Sequence, residues 1–397
     1  MRKPEQEAQI ILNPYGLFPQ EFGVLDEVNH PLYLEAHQAF PLTRLTDIRA
    51  LGFLTPIGLE EFQLSTGYDH NRYEHSLLVA RTLEHVMNRN NFSDLAIAHG
   101  VVAGLLHDIA TPAGGDAVKA IDREALDEED FWSEMVTDST EQFFQKHNLS
   151  PSAIDDIIHN QGVIGQLLDV VDRIAYTTLD TYKIHGANAL LSLQTIAGLS
   201  DSIRVNPSDH RVYFDDDYLL RTFLQLRAHN NVTLYMHPVN RAKDYLIGKI
   251  ISQFYSRDGT KPLSPKVLRM LSDRTLFEIL TQELGLPFTP EQTEFKFMNL
   301  YPMSQYSESE EDDHHNDPEV ISVGRERLKG FNPATNLLVF DPSIRDLVPF
   351  EEYDPINASV VLMQSAMCAP HILTYSMLLG EDHVMNKVIR EACIDCT

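Results

Sequence analysis

Apolar residues recur every three to four positions through most of the first ~300 residues, which is the spacing of amphipathic helices. Two segments are especially regular: RYEHSLLVARTLEHVMNRN, which begins at Arg72, and GQLLDVVDRIAYTTLDTYKI, which begins at Gly165. SDLAIAHGVVAGLLHDIA begins with Ser93 as a candidate N-cap, and SPSAIDDIIHN combines an N-cap at Ser150 with Pro151 at the first helical position. The pattern predicts a mostly α-helical chain.

The pattern changes near residue 295. TEFKFMNLYPM and NLLVFD are rich in aromatic and β-branched residues, which favours strands. An acidic run, SESEEDDHHND, lies between them and predicts a solvated loop over residues 307–317. The apolar stretch over residues 359–380 predicts a final helix. We therefore expect a helical domain over residues 1–295 and a small α+β C-terminal lobe over residues 296–397.

The composition limits the classes of partner. A net charge of -27, from 58 acidic against 31 basic side chains, repels polyanions and argues against general nucleic-acid binding. No apolar stretch reaches the ~20 residues that a membrane span needs, and the N-terminus lacks the pattern of a secretory signal. Three cysteines fit a reducing compartment. These features predict a cytoplasmic protein that does not bind membranes and has no general affinity for nucleic acids.

The doublet His107-Asp108 carries the most chemical information. It offers an imidazole and a carboxylate at the end of one apolar helix, and His75 and Asp172 could add one ligand each. Two nitrogens and two anionic oxygens suit a divalent ion such as Mn, Fe, Ni, Zn or Mg. Such an ion lowers the pKa of a bound water from ~16 toward ~7, so the set predicts a metal-dependent hydrolase. Asp169, three residues before Asp172, is the competing carboxylate.

Three segments resemble those of the HD-domain superfamily: HNRYEHSLLVA, AGLLHDIA and DVVDRIAYTTLD. They are most similar to the deoxynucleoside triphosphate triphosphohydrolases, which include the bacterial dGTPases and the animal HD-domain restriction dNTPase. The similarity runs in order over roughly residues 10–300. It implies an HD-domain helical bundle, a divalent metal cofactor, a nucleotide substrate and a homo-oligomer.

The resemblance also implies roles for individual residues. The metal ligands would be His75, His107, Asp108 and Asp172. The phosphate-contacting residues would be Arg72, Arg173 and Arg227, and the sugar-contacting residues would be Tyr176 and Asp180. Simpler alternatives remain open, since the arginines could be surface ion-pair partners and the tyrosine a core aromatic.

The chain departs from the family after the doublet, where it reads HDIATPAGGD. Asp116 and Glu129 fall where relatives have histidines that assist proton transfer. With His107 and Asp108, they complete the predicted catalytic set. Either carboxyl group could act as a general acid if burial raised its pKa. Alternatively, the enzyme is slower than its relatives, or it retains the pocket as a nucleotide sensor.

The resulting hypothesis is hydrolysis of deoxynucleoside triphosphates to deoxynucleoside and triphosphate. Two alternatives stay open at this point. One is a nucleotidase or phosphodiesterase that acts on other nucleotides, and the other is a non-catalytic nucleotide-binding scaffold.

Overall fold

The computed structural model of the protein is mostly α-helical, as the apolar spacing predicts. It describes residues 31–54, 70–185, 198–206, 211–230, 234–235, 247–248, 250–285, 295–302, 336–340 and 371–377. The helices in these ranges are α1 (Pro31–Ala39), α2 (Arg72–Arg89), α3 (Asp94–Leu106), α4 (Gly115–Lys119), α5 (Arg123–Leu126), α6 (Glu128–Phe131), α7 (Asp138–Lys146), α8 (Pro151–Ile158), α9 (Gly162–His185), α10 (Asp217–Asn230), α11 (Pro265–Met270) and α12 (Asp273–Leu284). Two 3-10 helices, Leu42–Asp47 and Trp132–Met135, connect some of them.

Side-chain caps fix where the main helices begin. Asn71 caps α2 in a capping box: its side chain accepts a hydrogen bond from the Glu74 backbone N–H, and the Glu74 carboxylate accepts one from the Asn71 backbone N–H. Ser93 accepts a hydrogen bond from the third residue of α3, and Ser150 does the same for α8, which has Pro151 at its start. The predicted N-caps at Ser93 and Ser150 are therefore confirmed.

The central layer consists of α2, α3 and α9, which pack against one another. Their facing side chains, such as Leu83, Val102 and Val171, are fully buried in the larger hydrophobic cluster. A second buried cluster contains Ala113 and Val118, which follow the His-Asp doublet, together with residues of α11 and α12 such as Leu268 and Leu276. The doublet lies at the end of α3, where the chain leaves the first cluster for the second.

The strands form two small antiparallel sheets. β1 (Ile203–Val205) pairs with β2 (Val212–Phe214), a hairpin that the sequence analysis did not assign. β3 (Phe295–Pro302) and β4 (Asn336–Phe340) occupy the two predicted strand segments, and both pair with β5 (His371–Met377) in the order β3-β5-β4.

The prediction of a helix over residues 359–380 is wrong for the residues in this range that the structure describes. Residues 371–377 form the central strand β5, whose backbone groups pair on both sides. Ile372, Thr374 and Tyr375 are residue types that favour strands, and the pairing partners β3 and β4 decide the outcome. The acidic loop 307–317 lies outside the described residues, and the division at residue 295 stays a prediction. Within the described part of the chain, no helix has the length and apolarity needed to cross a membrane.

Candidate metal centre

Three helices bring the four predicted metal ligands together. His75 lies in the first turns of α2, and His107 is the C-cap residue of α3. Asp108 follows directly after α3, and Asp172 lies in the middle of α9. His75, His107 and Asp108 each offer one ligand atom, and these atoms all lie within 4.8 Å of one another.

Asp172 completes the cluster from the opposite helix. Its Oδ1 lies 2.9 Å from Nε2 of His75 and 3.6 Å from Nε2 of His107. The two Nε2 atoms are 3.3 Å apart. Oδ2 of Asp108 lies 3.6 Å from Nε2 of His75 and 3.8 Å from Nε2 of His107.

These separations suit a single small cation. A metal–ligand distance of ~2.1 Å places neighbouring ligand atoms ~3.0 Å apart in an octahedral site and ~3.4 Å apart in a tetrahedral one. Nδ1 of His107 lies 2.8 Å from the carbonyl oxygen of Gly104, to which it can only donate. In the neutral imidazole, Nε2 of His107 therefore carries a lone pair, and this lone pair lies close to the possible ligand atoms of His75, Asp108 and Asp172. Acceptor atoms this close repel one another unless a proton or a metal ion lies between them. The residues therefore fit a divalent cation.

The charges of the cluster depend on one another. Burial alone would lower the pKa of His107, but Asp108 and Asp172 raise it to about 9 in the protein without a bound cation. Burial alone would raise the pKa of Asp108, but Arg72, His107 and His75 hold it well below its ordinary value. The histidines likewise lower the pKa of Asp172. Both carboxylates are ionised at neutral pH and available as ligands.

Arg72, predicted to contact phosphates, also supports a metal ligand. Its Nη1 donates to Oδ2 of Asp108 at 2.9 Å, and its Nη2 lies 3.6 Å from Oδ1 of Asp116. Asp108 is 3% exposed, so the guanidinium offsets part of the cost of burying that carboxylate. From the sequence alone, only a metal ion was expected to offset this cost.

The two predicted proton-transfer groups have opposite pKa shifts. Desolvation alone would raise the pKa of Asp116, but Lys119 and Arg72 lower it to about 2. Desolvation, reinforced by Asp127 and Glu128, raises the pKa of Glu129 to about 7. Near neutral pH, Asp116 is ionised, whereas Glu129 is protonated in a large fraction of the molecules. The condition set for a general acid, a raised pKa, is therefore not met by Asp116, whereas Glu129 has a raised pKa although its side chain is exposed.

The residues predicted to bind phosphate and sugar lie in and around α9. The guanidinium of Arg227 lies 5.7 Å from the ring centroid of Tyr176, one turn of α9 after Asp172. Asp180 is 3% exposed and binds His70 and Tyr235. Arg173 points along α9 and pairs with Asp169 at 2.7 Å.

Four polar neighbours of the site were not predicted from the sequence: His70, Tyr235, Lys119 and Glu128. Nε2 of His70 lies 3.0 Å from Oδ1 of Asp180, and the Tyr235 hydroxyl donates to its Oδ2. Lys119 binds Asp116 and Glu128. His70 stands in the HNRYEH segment and could have been noticed there. The others make contacts that no local pattern indicates.

Gly104 allows the two histidine-bearing helices to approach closely. A Cβ at this position would lie 2.9 Å from Cα of Ala80 in α2, which is closer than real Cβ contacts allow. The Gly104 carbonyl also orients His107. The absence of a side chain at position 104 therefore helps to set the distance between His75 and His107.

Replacing Gly104 with alanine is expected to destabilise the protein by about 1–3 kcal/mol, because a backbone must move. Metal affinity, measured by calorimetric titration, should fall as the histidines separate. Gly100→Ala is the matched control on the same helix, since its Cβ would meet the flexible side chain of Met87. Equal metal affinity in both variants would show that the helix spacing does not set the site.

Two charged side chains, the partly buried Arg44 and the buried Asp273, hold the loop that follows the doublet. Arg44 donates to the carbonyl oxygens of Ile109 at 2.6 Å, Thr111 at 2.9 Å and Leu271 at 2.8 Å. Asp273 accepts from the backbone N–H of Gly114 at 2.7 Å. Burial lowers the pKa of Arg44 to about 10, so it remains charged at neutral pH.

Arg44→Met is expected to lower the free energy of unfolding by about 3 kcal/mol, because three carbonyl groups lose a charged donor. Urea denaturation measures this loss. Arg44→Lys keeps the charge and part of the donor set, and its loss should be smaller. If the methionine variant is as stable as the wild type, these bonds do not hold the loop.

Comparison with known proteins agrees with this geometry. Residues 72–161 match the HD domain family. The match includes His75, His107 and Asp108 and ends before Asp172. No curated protein matches the sequence.

Two solved structures share the fold of this chain at low sequence identity. A hypothetical protein from Aquifex aeolicus superposes with a TM-score of 0.55 and 16% identity, covering 93% of this chain and 96% of that chain. A phosphohydrolase from Bacteroides thetaiotaomicron superposes with a TM-score of 0.57 and 16% identity, covering 88% of this chain and 96% of that chain. These similarities establish the likeness of fold.

Proposed function

We propose that this protein is a metal-dependent phosphohydrolase that acts on deoxynucleoside triphosphates and releases a deoxynucleoside and triphosphate. The observation that carries the proposal is the convergence of His75, His107, Asp108 and Asp172 from three helices. The HD domain match and a phosphohydrolase among the proteins of similar fold support the hydrolase class. The nucleotide specificity rests on the residues beside the cluster.

In the proposed reaction, the metal ligands, Arg72 and Glu129 have separate roles. A divalent ion held by the four ligands would act as a Lewis acid on a phosphoryl oxygen and on water. Arg72 holds Asp108 in place and keeps further N–H groups for a phosphate. Glu129, whose pKa is about 7, is suited to protonate the leaving oxygen.

The residues around α9 support a nucleoside subsite. Tyr176 presents an aromatic ring one helical turn beyond Asp172, and Arg227 lies against that ring. A tyrosine face next to a sugar would exclude a 2'-hydroxyl group and so select deoxynucleotides. Asp180, fixed by His70 and Tyr235, would accept a hydrogen bond from a sugar hydroxyl group.

Arg227→Ala is expected to raise KM for a deoxynucleoside triphosphate about 10- to 100-fold, since a charged hydrogen-bond donor is lost. The change in kcat should be smaller. Arg221→Ala, an exposed arginine on the same helix α10, is the matched control and should leave KM unchanged. An unchanged KM in the Arg227 variant would contradict the predicted phosphate contact.

Product analysis tests the proposed function. The manganese-loaded protein is incubated with the four deoxynucleoside triphosphates, the ribonucleotides and the monophosphates, and products are identified by mass spectrometry. Deoxynucleoside with intact triphosphate is the expected product. Orthophosphate from monophosphates would instead indicate a nucleotidase. Nucleotide-induced thermal stabilisation without any product would indicate a binding scaffold.

A further inference from the structure

Two cationic side chains lie close to a single carboxylate oxygen beside the metal centre. Oδ1 of Asp116 lies 3.0 Å from Nζ of Lys119 and 3.6 Å from Nη2 of Arg72. The same guanidinium donates through Nη1 to Oδ2 of the metal ligand Asp108 at 2.9 Å. Arg72 therefore connects the metal centre with a second point at which an anionic oxygen is held between cations.

The oxygen at this second point belongs to an exposed side chain. Asp116 is 60% exposed, whereas the side chains of Lys119 and Arg72 are 23% and 13% exposed. Water and salt screen an ion pair when one partner is this accessible, so the pair contributes little to stability. Asp116 can therefore rotate into solvent at small cost, while the two more enclosed cations stay in place.

Lys119 has a second partner that holds it when Asp116 moves. Its Nζ lies 2.7 Å from Oε1 of Glu128, whose side chain is 11% exposed. Burial alone would lower the pKa of Lys119, but Asp116 and Glu128 raise it, so Lys119 is charged at neutral pH. An ammonium group has three N–H donors and can bind Glu128 and another oxygen at the same time.

We propose that Arg72 and Lys119 form a phosphate subsite, which Asp116 occupies until a phosphate of the substrate displaces it. This proposal rests on the proposed phosphohydrolase function and adds Lys119 to the residues that bind the substrate. It specifies the class of substrate as a nucleotide with linked phosphates. One phosphoryl group would lie at the metal ion, and the next would lie between Arg72 and Lys119.

A chain of phosphates competes well with a single carboxylate for these cations. Phosphate and carboxylate oxygens accept the same charged hydrogen bonds from guanidinium and ammonium groups. A triphosphate carries several negative charges, and binding of one of its phosphates at the metal ion raises the effective concentration of the others at the subsite. Inorganic phosphate has no such second attachment and should displace Asp116 poorly.

Calorimetric titration of the manganese-loaded protein, freed of excess metal, with inorganic triphosphate tests the proposal. Asp116→Asn should lower Kd about three- to fivefold, because a competing charge is removed. Lys119→Met should raise Kd about tenfold or more, because a charged donor is lost. In the Lys119→Met background, Asp116→Asn should change Kd by less than about twofold, since its effect depends on Lys119.

Two further variants make the titration specific. Asp130→Asn is the matched control, because Asp130 is also 60% exposed and lies on α6 beside Glu128, but its partner is His159 at 3.4 Å. It removes one negative charge without touching the subsite and should leave Kd close to the wild-type value. Lys119→Arg keeps the positive charge opposite Glu128 and should keep most of the affinity, which provides a second test if Lys119→Met folds poorly.

Other outcomes overturn the proposal. An unchanged or raised Kd in Asp116→Asn would show that Asp116 does not compete with phosphate. Equal tightening in Asp130→Asn would indicate a general effect of net charge. Equal tightening with and without Lys119 would remove Lys119 from the subsite. Because binding needs no turnover, the expected Kd values without nucleotide hydrolysis would overturn the proposed function alone, whereas hydrolysis with unchanged Kd values would overturn this inference alone.

Discussion

Asp108→Asn is expected to abolish metal binding and turnover together. The substitution keeps the size of the side chain but removes the negative charge that faces His75, His107 and Arg72. Loss of residues that only orient metal ligands costs about 10- to 100-fold in affinity or activity, so the loss of a ligand should exceed 100-fold. Metal content by elemental analysis and kcat/KM on a deoxynucleoside triphosphate measure the two effects.

Asp169→Asn is the matched control for Asp108→Asn. Asp169 is also an aspartate near the centre, but it pairs with Arg173 on the same helix at 2.7 Å. Its replacement should leave metal content and turnover close to wild type. If Asp108→Asn keeps both properties, or if Asp169→Asn loses them, the ligand assignment is contradicted.

The metal-free protein is expected to lose about 3 kcal/mol of stability as the pH rises from about 6.5 to 9. The pKa of His107 is about 9 in the folded protein without a cation, against ~6.5 in an unfolded chain. A group whose pKa is raised by folding contributes its full stabilisation below the unfolded value and loses it as the pH passes the folded value. Denaturant unfolding in the presence of a chelator, between pH 6 and 10, measures this loss.

The carboxyl groups of the site contribute little to the upper part of this window. The pKa of Glu129 is about 7, so its effect on stability is complete near that pH. Asp108 and Asp172 have lowered pKa values, and their contributions are lost only in acid. The pKa of His159 is also raised, first by its hydrogen bond to the Asp155 backbone, so the contribution of His107 is the difference between the wild type and a variant at position 107.

His107→Gln provides the comparison for this pH effect, since its stability should vary much less between pH 7 and 9. In the wild type, metal affinity should increase about tenfold per pH unit below pH 9, because binding releases the imidazole proton. A metal-free wild type whose stability is constant between pH 7 and 9 would contradict the electrostatic description of the centre.

The helices were largely predictable because their signals are local. Ser93, Ser150 and Pro151 mark helix starts through contacts within one turn, and the structure confirms them. The strand β5 was not predicted, since an apolar segment of that length suits a helix or a strand equally. Its partners β3 and β4 come from segments about 70 and 30 residues earlier along the chain, and their pairing with β5 settles the choice.

The candidate ligands could be proposed from sequence because each belongs to a short recognisable segment. The contacts of Lys119 and Arg44 could not, since they depend on how α4, α6 and the 3-10 helix at residues 42–47 pack around the doublet. Arg72 shows the same limitation. Its sequence position suggested a phosphate contact, and only the packing of α2 against the end of α3 brings it to Asp108.

The position of a bound metal ion would show whether His75, His107, Asp108 and Asp172 form one metal centre. Crystals of the protein grown with manganese would locate the ion by its anomalous scattering. We expect one peak per chain, about 2.1 Å from Nε2 of His75 and His107 and from carboxylate oxygens of Asp108 and Asp172. A well-ordered site without a peak, or a peak bound by other residues, would contradict it.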